Sequence, residues 1–190
     1  MQTLGITDST PRTENRLKSL FWPSLKDQGD VDYLTVQGFW ICFVVGMMTL
    51  GYGVLAGDLI NAAAGSLCFV LAGAGVRQKS RFAAVSAFLI YLLSNMASVR
   101  YTGQGFGIIG IFFLALLLSN VRGLWLAARW AKSEPQEEIL RLNLTLGDKL
   151  SDQFPKWVWP KGRYVFYALA ALEFLGLTAA LLMPASMLRH

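Results

Sequence analysis

Glu173 is the residue of this chain whose chemistry most needs an explanation. It stands near the middle of an apolar run covering residues 164–183, where an ionisable side chain costs about 2.5 to 3.5 kcal/mol on insertion scales. A carboxyl at such a depth must face protein or water, and two uses follow. As a neutral group it donates a hydrogen bond that holds two helices together. As a titrating group it binds a proton or cation along a pathway. Ala170, Gly176 and Ala180 share its face at helical spacing, and small side chains there let another helix come close. Tyr91 and Asn95 are the polar residues expected at comparable depth, with Ser94, Tyr52, Asn61 and Thr178 further outward. Together they are the candidate lining of a polar pocket, an ion- or proton-binding site or a helix contact.

Other reactive chemistry is scarce. The single histidine is His190, which leaves no bis-histidine haem, histidine-held metal or histidine-based hydrolase. Cys42 and Cys68 fall inside apolar runs with no companion ligands, so they are read as packing residues rather than a disulfide or metal site. Asp58 and Glu173 are the only acids outside the segments read as cytoplasmic. Asp58 sits in a turn, so an intramembrane acid dyad is not expected. Gly103, Gly105, Gly107 and Gly110 follow no strand, so no nucleotide-binding loop is read from them. The GxxxG spacing of Gly103 and Gly107 belongs partly to a loop. The expectation is a protein that is not an enzyme and carries no cofactor and no metal.

The elements that position these residues are five apolar runs, residues 34–56, 59–76, 82–99, 104–121 and 164–183, of 23, 18, 18, 18 and 20 residues. At ~1.5 Å rise per residue, roughly 20 residues cross a ~30 Å hydrocarbon core. The shorter runs lack the polar face that a soluble amphipathic helix carries. Hydrophobic residues make up 54% and charged residues 15% of the 190-residue chain, against about 25% charged in soluble domains.

Lys and Arg then set the topology. They crowd the N-terminal segment, the second connection and the fourth, and are nearly absent elsewhere. With the N-terminus in the cytoplasm, fifteen of the seventeen lie on that side and two on the other, as the positive-inside rule requires. The fold class is therefore all-α, a polytopic membrane bundle of five transmembrane helices, N-in and C-out. The expected location is the bacterial cytoplasmic membrane. The first run is taken to be retained as a signal anchor, because the polar residues 1–33 precede it and no small-x-small cleavage pattern follows it. The net charge of +5 lies beside spans rather than along one groove, so lipid headgroups, not nucleic acid, are its expected partner.

Two cytoplasmic segments look interfacial. Residues 13–22 mix Arg16 and Lys18 with Leu17, Leu20, Phe21 and Trp22, which suits a short helix on the headgroups. In the connection over 132–163, Ser133 is a candidate helix cap. Ile139, Leu142, Leu146, Leu150 and Phe154 then fall within about 120° of arc at ~100° per residue. Leu140 to Leu146 also alternate apolar and polar as a strand would, but a lone strand has no sheet to join, so the helix is preferred. Trp157 and Trp159, flanked by Lys156 and Lys161, are read as headgroup anchors. Trp125 has the same role beside Arg122 and Arg129 at the inner end of the fourth span. Asn120-Val121-Arg122-Gly123 ends that span where an arginine snorkels or binds lipid phosphate.

The function expected is that of a structural or accessory component, packing with itself or with a larger membrane complex. The alternative is a small transporter or proton-coupled carrier centred on Glu173, although no internal repeat supports it.

Overall fold

A computed structural model of the chain describes residues 28–103, 107–130, 150 and 153–183. The expected helix over 13–22, the helix-or-strand question over 139–149 and the outer tail lie outside the described residues. Within them all regular structure is helical: α1 (Gln28–Ala56), α2 (Leu59–Arg77), α3 (Arg81–Thr102), α4 (Ile108–Trp130) and α5 (Val158–Leu182). All five are long and apolar enough to cross a membrane, and in hydrocarbon a helix is the one open-chain form that satisfies its own backbone.

The helices are longer at the basic end than the apolar runs alone indicated. Helix α1 begins at Gln28 instead of residue 34, α4 continues to Trp130 and α5 starts at Val158. Apolarity marks only the part of a helix in hydrocarbon, whereas hydrogen bonding continues through the headgroup layer. Local chemistry places the breaks. Gly57, at φ 77°, turns the chain between α1 and α2, and Asp58 caps α2 by accepting from the Asn61 amide. Ser80 caps α3. Gly103 closes α3 in the left-handed conformation, as glycine does most cheaply.

Successive helices run in opposite directions. Asp32 near the start of α1 meets Arg77 at the end of α2, Phe82 at the start of α3 stacks edge-on with Tyr167 near the start of α5, and Arg100 at the end of α3 donates to the Met183 carbonyl just beyond α5. Helix α2 packs against α1, α3 and α5, while α4 packs against α1 and α3. Helices α2 and α3 thus form the middle of the bundle, and α5 covers the side opposite α1 and α4.

Small residues decide how closely α1 and α2 approach. Gly46 and Gly53 on α1 are seven residues apart, as are Ala62 and Phe69 on α2, so each pair lies on one face of its helix. A Cβ at Gly53 would overlap that of Ala62, one at Gly46 would lie 3.1 Å from the Ser66 carbonyl oxygen, and one at Gly73 would lie 3.1 Å from that of Phe39. Cys42 and Cys68, both free thiols, are buried in this region. Helix α5 docks differently, through large side chains. Trp159, Phe166 and Ala170 form its buried stripe, and the Trp159 ring fills the notch left by Gly75.

The outside is apolar. Leu55, Ile60, Ile108 and Leu175 are all more than two-thirds exposed, a surface for which lipid is the suitable solvent.

Gly53→Ala is expected to lower stability by about 1 to 3 kcal/mol, because the new methyl meets a Cβ rigidly fixed to the α2 backbone. Gly51→Ala, with nothing within 4 Å of its added Cβ, is expected to be neutral or mildly stabilising. Thermal unfolding of both variants in the same detergent checks this.

Candidate functional site

Two places bring polar groups into the bundle: the middle of α5 and the basic end of α1, α2 and α4. The first is Glu173. It lies one turn along α5 from the buried Ala170, and its carboxyl reaches the surface of α2 at Gly65, where Oε1 would stand 3.5 Å from an added Cβ. Thr49 of α1 closes on the same spot, its methyl 3.2 Å from that position. Glycine at position 65 leaves the space the carboxyl occupies. The Thr49 hydroxyl is not a partner, since it donates to the Val45 carbonyl at 2.9 Å. Cys68 is near enough to feel the carboxyl electrostatically. Among the described residues, no hydrogen bond or ion pair reaches Glu173, which is only partly covered by protein.

Tyr91 and Asn95 do not complete a pocket around it. The Tyr91 ring packs edge-on between Phe69 of α2 and Phe113 of α4, at 6.4 and 6.3 Å between centroids. Asn95 donates to the Tyr91 carbonyl at 2.7 Å and turns its Oδ1 toward Gly110 of α4. Of the outer polar residues, Asn61 is held by the Asp58 carboxylate at 2.8 and 3.0 Å, and Tyr52 and Thr178 are exposed on the bundle surface. Gly103 and Gly107 do not form a packing motif. Neither would meet another of the described residues through an added Cβ, whereas Gly110 is the glycine that receives a neighbouring helix.

The second place is a clasp among α1, α2 and α4. Arg77 Nη1 donates to Asp32 Oδ1 at 2.6 Å and to Thr35 Oγ1 at 3.1 Å. The Thr35 hydroxyl, fully buried, donates to the Asp32 carbonyl at 2.8 Å. Next to it Asn120 of α4 donates from Nδ2 to the Leu34 carbonyl at 2.7 Å. It fits over Gly38, where a Cβ would collide with the amide, while Leu34 fits over Gly123 of α4 in return. The Asn120-to-Gly123 segment that looked like a headgroup boundary is therefore a reciprocal side-chain lock between two spans. Asn120 Oδ1 and Ser119 Oγ are buried without a hydrogen-bond partner among the described residues, so this junction retains unused acceptor capacity. Sequence reasoning missed Asp32 and Thr35. The available signal was an acid opening one span and a base closing the next, because antiparallel neighbours bring those ends together.

The aromatic anchors divide. Trp157 is exposed, with the Lys161 ammonium 5.3 Å from its ring, and Trp125 is half-exposed beneath the Arg81 guanidinium at 5.5 Å. Arg122 is half-buried and Arg129 exposed on the same stripe of α4. Trp159, expected as a headgroup anchor, packs into the bundle. It is 8% exposed, lies 5.4 Å from the Phe166 ring and belongs to the core. Its neighbour Gly75 is the reason, since any larger residue would close the notch.

Gly38→Ala is expected to destabilise the bundle by displacing Asn120 from the Leu34 carbonyl. Adding Asn120→Ala is expected to make the double variant less unstable than the sum of the two single changes, as for directly coupled neighbours. A double-mutant cycle of thermal unfolding measures this, and strict additivity would contradict the lock.

No protein-family model, curated protein or solved structure matches the chain, so no function transfers to it from a relative.

Proposed function

We propose that this membrane protein is a structural or accessory component that associates, through the outer half of α5, with another copy of itself or with a larger membrane complex. The observation carrying the reading is the partly exposed carboxyl of Glu173 at mid-span, which has no hydrogen bond or ion pair among the described residues. Leaving a carboxyl at a lipid boundary costs about 2.5 to 3.5 kcal/mol, and a neighbouring helix that accepts its hydrogen bond or offers a cation removes that cost. The surrounding face suits such a neighbour. Leu172 and Leu175 project outward, and none of the described residues lies within 4 Å of a Cβ added at Gly176. Small residues beside one polar group are the usual composition of a helix contact within lipid.

The same proposal places the basic end of the bundle in the cytoplasm and the end of α5 outside, in the cytoplasmic membrane of a bacterium. Among the described residues, Arg77, Lys79, Arg81, Arg122, Arg129, Lys156, Lys161 and Arg163 gather at one end and Arg100 alone at the other, which supports that orientation. The carrier reading rests on the same carboxyl, but the polar groups proposed to accompany it bond elsewhere. That division supports an association role over transport.

Crosslinking from Gly176→Cys in native membranes, with mass measurement in mild detergent, tests the reading. The expected product is larger than one chain, and its yield falls about tenfold in Glu173→Leu if the carboxyl contributes ~1.4 kcal/mol to association. A strictly monomeric protein with no crosslinked product would sink it. Proton flux into liposomes that depends on Glu173, abolished by Glu173→Gln, would favour the carrier instead.

A further inference from the structure

We propose that two copies of this chain dimerise about a two-fold axis along the membrane normal, with Glu173 of one copy hydrogen-bonded to Glu173 of the other and Gly176 and Ala180 at the crossing of the two α5 helices. The inference rests on the association through α5 proposed above and commits it to one partner, a second copy. Two independent features meet on this part of α5. The first is the carboxyl, which is only partly covered by protein and is reached by no hydrogen bond or ion pair among the described residues. The second is Gly176, one turn further along the helix. Every other glycine within α2, α4 and α5, at positions 65, 73, 75, 110, 123 and 162, would bring an added Cβ within 4 Å of an atom from a neighbouring helix. A Cβ added at Gly176 meets none of the described residues, although glycine is the weakest helix former after proline.

Glu173, Gly176 and Ala180 fall within about 60° of arc at ~100° per residue. Gly176 and Ala180 stand four residues apart, the small-xxx-small spacing through which membrane helices approach most closely. Gly176 is exposed, Glu173 and Ala180 are half-buried, and Leu172, 66% exposed, borders them. The stripe of Trp159, Phe166 and Ala170 that α5 buries is centred about 70° away on the same helix. The contact within the bundle and the contact between copies therefore use different faces.

What selects a second copy over another membrane protein is the chemistry of the carboxyl. All copies insert in one orientation, because the same basic residues set it, so residue 173 of the second chain lies at the depth of residue 173 of the first. A neutral carboxyl carries one O–H donor and a carbonyl acceptor, which makes it complementary to itself. Across a two-fold axis each hydroxyl donates to the other carbonyl oxygen, and one contact satisfies both groups. An isologous interface is built from such self-complementary patches. A different protein would need a polar group of its own at this depth, set into a face that also fits Gly176 and Ala180.

Oxidative disulfide crosslinking of the full chain in native membranes, with the mass of the product measured, locates the contact. Gly176→Cys and Ala180→Cys are expected to give a product of twice the chain mass. Leu175→Cys and Leu182→Cys, exposed on another side of α5, are expected to give none, as is the wild type, whose Cys42 and Cys68 are buried. The association constant in mild detergent then tests the carboxyl pair. Glu173→Gln, whose amide also donates and accepts, is expected to stay within about threefold of wild type, and Glu173→Leu to fall about tenfold. Undiminished dimerisation of Glu173→Leu, equal loss in the Gln and Leu variants, or crosslinking at 175 and 182 as readily as at 176 and 180 would each overturn the proposal. Crosslinks from 176 and 180 to a different protein, and never to a second copy, would overturn the dimer and leave the association through α5 standing. A monomeric mass with no crosslink at any of the four positions would remove both.

Discussion

The close approach of α1 and α2 is the constraint on which the remaining architecture depends. Lipid tails are as apolar as leucine side chains, so two spans gain little by burying large apolar groups against each other. They associate instead by dense packing and by shared polar contacts. Glycine at positions 46, 53 and 73 removes the side chains that would hold these backbones apart. The hairpin then brings Asp32 to Arg77 and leaves α2 as the central element against which α3 and α5 pack. Replacing those glycines with larger residues would do more than loosen one interface, since the clasp and the α5 docking surface are both built on α2.

Polarity in the bundle is graded along its length. Ion pairing and side-chain to backbone bonds concentrate at the basic end, where Arg77, Thr35 and Asn120 tie three helices together. The opposite end is held by lighter ties, such as Arg100 to the Met183 carbonyl. Glu173 lies between these regions without a bond of its own among the described residues. A buried charge or amide costs most where partners are absent, and the clasp meets most of that cost within the chain, leaving Asn120 Oδ1 and Ser119 Oγ without a partner among the described residues.

Much of this was legible in the sequence, and the parts that were not share a cause. Runs of apolar residues announce spans because composition alone meets the requirement of hydrocarbon, and all five appear as helices. Glu173 stood out for the same reason, as an exception to that composition. Pairings between helices are different, because they depend on which faces meet. Trp159 carried every mark of a headgroup anchor, a tryptophan between lysines, yet Gly75 on a helix some eighty residues earlier supplies the notch that draws it inward. Asn120 and Gly123 were noticed as a pattern, but their meaning lay in Gly38 and Leu34 of another span. The clasp of Asp32 and Arg77 required the hairpin geometry before its two ends could be connected.

The buried residues of α5, Trp159, Phe166 and Ala170, all belong to its first half, and this has a consequence for biogenesis. Spans enter the bilayer in the order of synthesis, so α1 to α4 are present before α5 emerges. Until then the notch at Gly75 lacks the Trp159 ring that fills it in the folded bundle. The contacts that hold α5 to the other helices are thus concentrated toward the end of the helix that is synthesised first.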